Sequence, residues 1–210
     1  MKTINNISDL TDQIDNNQPF AFSRWGDGEW LNVNKHKGSN CDGNVYYEDL
    51  GDALLEIAST KQNYHMGMQT LITWSSQQAN KYDQNWGDAD VMHRASMQNE
   101  LQPFIKSLTS AHIVYIGNES LKSLPFINEF IEIPYTNIWN DRKKLISRIT
   151  ETFDDNICKV YCFSAGMATN VFIDQLWKLN NNNTYIDVGS VFDPYVGRIT
   201  RSYHRKLQLT

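Results

Sequence analysis

The chain has 210 residues, 40% hydrophobic and 20% charged, which suits one domain with a substantial core. Its formal net charge of −5 comes with no basic run, which excludes a protein that tracks a nucleic-acid backbone, so no nucleic acid is expected as a partner. No window approaches 18 apolar residues and residues 1–6 lack the apolar stretch of a signal peptide, so no spanning helix is expected and the cytoplasm is the expected compartment. Three cysteines, Cys41, Cys158 and Cys162, show no zinc spacing and fit a reducing compartment.

In chain order, Ser8 is the expected cap of a short helix carrying Leu10 and Ile14. Residues 19–23 (PFAFS) read as a buried strand that runs straight into Gly26 and Gly28. Residues 34–47, rich in Asn, Gly, Lys and Asp, read as a loop. Leu50, Ala53, Leu54 and Ile57 have the spacing of an amphipathic helix, and residues 64–68 read as a strand. Residues 73–90 are polar with interspersed Trp and Tyr and read as an active-site loop or lid. A helical stretch over residues 92–108 is interrupted or started by Pro103. Residues 112–116 (HIVYI) form a predicted strand whose Gly117-Asn118-Glu119-Ser120 turn leads to a helix. Residues 130–133 are another strand, and Leu145, Ile146, Ile149 and Phe153 mark a helix. Residues 159–163 (KVYCF), the Ser164-Ala165-Gly166 turn and a helix over residues 171–179 follow, and residues 184–188 are the last strand. Repeated strand, turn and helix predicts an α/β fold, with a mainly parallel sheet and helices on both faces.

Such sheets bind ligands beyond the carboxyl ends of their strands. Four polar segments fall there. In Asp27-Gly28-Glu29, two carboxylates separated by a glycine can share one hard cation, Mn²⁺ or Mg²⁺. Acidic residues favoured at a helix N-terminus would give the same pattern. Arg24 can clamp a phosphate or hold one of the carboxylates. Ser164 and Gly166, at a strand-to-helix turn, and Gly117 with Asn118, at a similar one, are candidates for contacting phosphate, ribose or base; ordinary turn and cap formation explains them equally. Asp187 or Asp193 could supply the base that takes a proton from an acceptor hydroxyl. Arg201 and His204 could neutralise a diphosphate from the C-terminal side. With Arg198, Arg205 and Lys206 they form a basic end, which reads as a local anion site, as a tail touching a membrane or acidic partner, or as a solvated end. The other histidines form no ligand spacing. Six Trp and ten Tyr suit sugar stacking, although core and rim packing accounts for them more simply.

The run Arg24-Trp25-Gly26-Asp27-Gly28-Glu29 resembles the R-[FYW]-G-D-G-E signature of the GT-D-fold glycosyltransferases. Asn40-Cys41-Asp42-Gly43, Ile116-Gly117-Asn118, Ser164-Ala165-Gly166 and Asp187-Val188-Gly189-Ser190 with Asp193 and Arg201 look like further segments of that family. The resemblance implies a single Rossmann-like domain over residues 1–210. It also implies a nucleotide-sugar donor, often a UDP-sugar, a glycan or glycoprotein acceptor, and Mn²⁺ or Mg²⁺ on Asp27 and Glu29. Two rivals use the same residues: a metal-dependent phosphohydrolase, and a non-catalytic module that binds a glycan or nucleotide.

Overall fold

Short apolar runs alternating with amphipathic stretches become seven strands and eight α-helices among the residues that the computed structural model describes, 3–206. The elements are α1 (Ile7–Asp15), β1 (Ala21–Trp25), α2 (Asp27–Val33), α3 (Glu48–Ser59), β2 (His65–Met68), α4 (Thr73–Ala79), β3 (Trp86–Asp88) and α5 (Val91–Met97). They continue with α6 (Gln102–Ser110), β4 (His112–Gly117), β5 (Glu129–Glu132), α7 (Arg142–Thr150), β6 (Lys159–Phe163), α8 (Thr169–Leu179) and β7 (Thr184–Asp187).

The strands form one sheet in the order β3-β2-β1-β7-β6-β4-β5, and every neighbouring pair is parallel. The chain leaves β1 toward one edge, crosses to β4 and moves to the other edge, then returns through β6 to β7 beside β1. The carboxyl ends of β1, β7, β6 and β4 thus lie side by side in the middle of the sheet.

Side chains alternate along each central strand, so two cores form. Ala21, Trp25, Val114, Ile116, Tyr161, Phe163 and Tyr185 pack on one face under α2, α3, α7 and α8. Phe22, Ile113, Tyr115, Val160, Cys162 and Ile186 pack on the other under α1, α5 and α6. Burial on both faces explains why these strands read as continuous apolar runs. Gly51 lets α3 press against α2, since a Cβ there would lie 2.5 Å from the Asn32 carbonyl oxygen. That contact seats the helix whose first turn carries Asp27 and Glu29.

Several local expectations are corrected. The first cap is Asn6, whose Oδ1 accepts the Asp9 N–H at 3.0 Å while Asp9 Oδ2 accepts the Asn6 N–H at 3.1 Å; Ser8 lies inside the helix. Residues 73–90 are not an irregular loop: they contain α4 and the edge strand β3. Their polarity reflects an edge strand and a short helix with only Ser75 and Ala79 buried. The helical stretch over 92–108 is two helices; Pro103 sits in the first turn of the second, where its missing N–H costs nothing. The Gly117 turn leads to a 3-10 turn, Glu119–Ser123, rather than an α-helix.

Candidate functional site

The site begins with how β1 hands over to α2. Trp25, the last residue of β1, is fully buried, and its ring lies 4.9 Å from that of Trp30 one helical turn on. Trp30 stacks in turn on Tyr82 at 5.5 Å. This aromatic cluster anchors both sides of Gly26, so the strand-to-helix turn is held by packing. Trp25, Trp30 and Trp139 are core residues, and Trp74 is more exposed, at 36%.

Gly26 is the N-cap of α2, with extended backbone and no side chain to cap with. Glu29 supplies the cap instead: its Oε2 accepts the Gly26 N–H at 2.8 Å. Asp27 is exposed, its Oδ1 accepting the Gly28 N–H at 3.0 Å. The Asp27 N–H donates to Gln69 Oε1 at 3.1 Å, from the turn after β2. A Cβ on Gly26 would lie 3.3 Å from Gln69 Oε1 and 3.4 Å from Glu29 Oε2, so the glycine is what lets these oxygens close in. Burial pushes the Glu29 carboxyl up to about 7, the neighbouring charges of Asp187 and Asp27 add to this, and the Gly26 N–H opposes it. A carboxylate so placed gains from a cation beside it. Asp27 and Glu29 offer hard oxygens and so fit Mg²⁺ or Mn²⁺. Among the described residues no three His, Cys, Asp or Glu side chains gather to hold a metal by themselves, so a cation here would complete its shell with water and phosphate.

Beside this pair, Arg24 Nε faces Asp187 Oδ2 at 3.6 Å at the end of β7. Asp187 Oδ1 accepts the Gly189 N–H at 2.9 Å. Burial pushes the Asp187 carboxyl up, against the pull of Arg24. The carboxylate that Arg24 faces is thus Asp187 rather than Asp27 or Glu29. Asn170 Nδ2 donates to the Arg24 carbonyl at 3.0 Å, tying α8 to β1.

The remaining candidates divide between the strand ends and the C-terminal segment. Ser164 Oγ bonds Tyr115 Oη at 2.7 Å and the Gly189 carbonyl at 2.5 Å, so it braces β4, β6 and the turn after β7 and caps no helix. Gly166 has a φ of +62° and lies under Asn44. Gly117 is packed between Tyr115 and Leu121, where a Cβ would come within 3.0 Å of both side chains. Asn118 Oδ1 accepts from Ser120 Oγ and from Arg198 Nη1 at 3.1 Å. Asp193 is buried, with Oδ2 taken by Thr200 Oγ1 at 2.5 Å and Oδ1 3.9 Å from Arg198. His204 is buried too, and its Nδ1 accepts the N–H groups of Thr200 and Arg201, both at 3.2 Å. Burial lowers its pKa, so it is a neutral staple and not a cation facing a ligand. Arg201 Nη2 donates to Asp42 Oδ2 at 2.6 Å. Arg205 is exposed, and the side chain of Lys206 lies outside the described residues.

Sequence reasoning missed Gln69, Asn170 and Tyr203. Tyr203 stacks on His93 at 4.0 Å, its hydroxyl 3.4 Å from Ser190 Oγ. It also missed the brace after β2, where Asp90 Oδ2 accepts the N–H groups of Thr70 and Leu71 at 2.7 and 2.9 Å. The one available signal was Asp88-Ala89-Asp90 following Trp86-Gly87, obscured because β3 has only three residues. A small cleft of about 10 Å³, lined by Asn44, Tyr47, Asn137, Ala165 and Met167, adjoins the site through Met167, whose Cγ would lie 3.3 Å from a Cβ on Gly28. A larger concavity of 310 Å³ lies by His65, at the opposite ends of the strands, and has no part in the acid pair.

No helix among the described residues is long and apolar enough to cross a membrane. Comparison with family models, with curated proteins and with solved structures finds no match.

Proposed function

We propose that the chain is a metal-dependent glycosyltransferase that moves a sugar from a nucleotide diphosphate, a UDP-sugar, to a glycan or glycoprotein acceptor. The observation that carries this reading is the pairing of Asp27 and Glu29 in the first turn after the central strand β1, with Glu29 ill at ease as an isolated anion. The signature around them adds to it. A divalent cation, Mn²⁺ or Mg²⁺, held by Asp27 and Glu29 would stabilise the negative charge that grows on the leaving diphosphate.

The chain's own residues supply the rest. The Gly26 N–H fixes one Glu29 oxygen, and Gln69 fixes the backbone of Asp27. Arg24, buttressed by Asp187, sets a positive charge next to the pair. Both acids considered as the base are engaged, Asp187 by Arg24 and the Gly189 N–H and Asp193 by Thr200 and Arg198; Asp187 is retained because it neighbours Glu29. The proposed setting is the cytoplasm, where an exposed thiol such as Cys41 stays reduced.

A panel of nucleotide sugars with and without Mn²⁺, read by mass spectrometry of released nucleotide and sugar product, tests the reading. Transfer to an acceptor is expected; free sugar released without any acceptor requirement would identify a hydrolase instead. Asp27→Ala and Glu29→Ala are each expected to abolish transfer, a loss of at least about 10²-fold, with the circular dichroism spectrum unchanged. Metal-dependent turnover surviving in either variant would remove the pair from the mechanism.

A further inference from the structure

The loop of residues 38–46 reaches over the first turn of α2. It is a preformed unit: the Asn40 N–H donates to the Asn44 carbonyl at 2.9 Å, and Asn40 Oδ1 accepts the N–H groups of Asp42 and Asn44, both at 3.0 Å. Its base is pinned by two reciprocal bonds of 2.9 Å, Asn137 N–H to Asn44 Oδ1 and Val45 N–H to Asn137 Oδ1. Its tip sits close to α2, with Asn40 Nδ2 3.9 Å from where a Cβ on Gly28 would stand. Asp42 belongs to that same tip, its N–H held by Asn40 Oδ1. There the tip is clasped to the C-terminal segment by Arg201 Nη2 and Asp42 Oδ2, 159 positions apart in sequence. The two side chains are 31% and 33% exposed.

We propose that Asp42 is a placeholder on Arg201: its carboxylate occupies the guanidinium edge that a phosphate oxyanion takes, so the ion pair is an autoinhibitory latch that an incoming diphosphate opens. This rests on the proposed function, which puts the diphosphate at Asp27 and Glu29. Arg201 meets Asp42 through Nη2 alone, its Nη1 donating to the Thr200 carbonyl at 2.9 Å, and guanidinium accepts a phosphate oxygen where it accepts a carboxylate oxygen, so one can replace the other at Nη2 without rebuilding the site. A pair this exposed shifts an equilibrium by only about two- to fivefold, enough to hold the loop down and weak enough for a more highly charged anion to displace it. The exchange leaves Asp42 and the tip free to swing, because the loop's base bonds to Asn137 do not involve Asp42.

The probe is inorganic pyrophosphate, titrated into the full chain by calorimetry at constant ionic strength, with amide hydrogen exchange followed over residues 40–46. Asp42→Asn is expected to bind pyrophosphate about two- to fivefold tighter, and Arg201→Gln at least as much weaker. A mere structural brace would move both in the same direction. Both variants are expected to exchange faster at residues 40–46 without ligand, and saturating pyrophosphate is expected to speed wild-type exchange there. The latch is overturned if both variants weaken binding, if Asp42→Asn leaves it unchanged, if neither wild type nor Asp42→Asn binds pyrophosphate, or if bound pyrophosphate leaves wild-type exchange at residues 40–46 unaltered. Binding and exchange that behave as expected in a chain that turns over no nucleotide sugar would sink the transferase reading and leave the latch standing.

Discussion

Glu29 carries two demands at once. Its Oε2 closes the helix start by accepting the Gly26 N–H, while burial and two neighbouring acids hold its carboxyl up to about 7. A cation ligand must be ionised, so binding a metal competes with a proton. Mn²⁺ affinity is therefore expected to climb as pH rises toward about 7 and to level off above it, whereas in Glu29→Gln the remaining dependence should be shallow over that range. Calorimetric titration at pH 6, 7 and 8 reads this directly; a wild-type affinity flat across the three would mean that Glu29 is no ligand. At this scale the sequence displayed the acids and their spacing. It did not display the charge partner of Arg24: Asp187 lies at the end of a different strand, and only the β1–β7 pairing brings the two together.

At the scale of elements, the site is a set of strand ends held by backbone geometry. Gly189 has a φ of +54°, and a Cβ there would strike Arg24 Nη2, so the turn after β7 and the position of Arg24 depend on one another. Gly197 has a similar φ of +78° but open space around it. Gly197→Ala is expected to cost about 1 kcal/mol, the conformational penalty alone. Gly189→Ala is expected to cost roughly 2–4 kcal/mol and to impair transfer as well, because Arg24 must move. Urea unfolding of both variants beside an activity assay checks this; equal costs would show that Arg24 yields without consequence. The long central elements were legible because their apolar periodicity is driven by burial on a two-sided sheet. Residues 73–90 were not, because a three-residue edge strand and a two-turn helix leave too few buried positions for a period to show.

Across the whole molecule, two titrating groups at opposite ends of the strands, buried His65 and half-buried Glu29, work against each other. Burial pushes His65 down to about 4, from an ordinary 6.5. It therefore favours the fold above pH 6.5, a contribution lost as pH falls toward 4. Glu29 is raised from 4.5, so its acid form favours the fold below 4.5, and that contribution is lost as pH rises through about 7. Each is worth at most about 3 kcal/mol, and between pH 4.5 and 6.5 the two slopes oppose. Removing one should expose the other: His65→Gln is expected to gain stability from pH 7 to pH 5, and Glu29→Gln to lose it. Thermal midpoints of metal-free protein at the two pH values decide, and parallel shifts in both variants would show that neither group governs the profile. The sequence by itself determined the α/β class, the parallel sheet, the strand ends at which polar residues gather, and the acids Asp27 and Glu29, because hydrophobic period and turn chemistry are local properties. Only the tertiary structure decided the strand order, the Arg24–Asp187 pair, the engagement of Asp193 and His204 within the C-terminal segment, and the clasp between Arg201 and Asp42. Those depend on which distant strand ends and loops become neighbours, and that is settled by burying two apolar faces at once, which leaves no local trace in the chain.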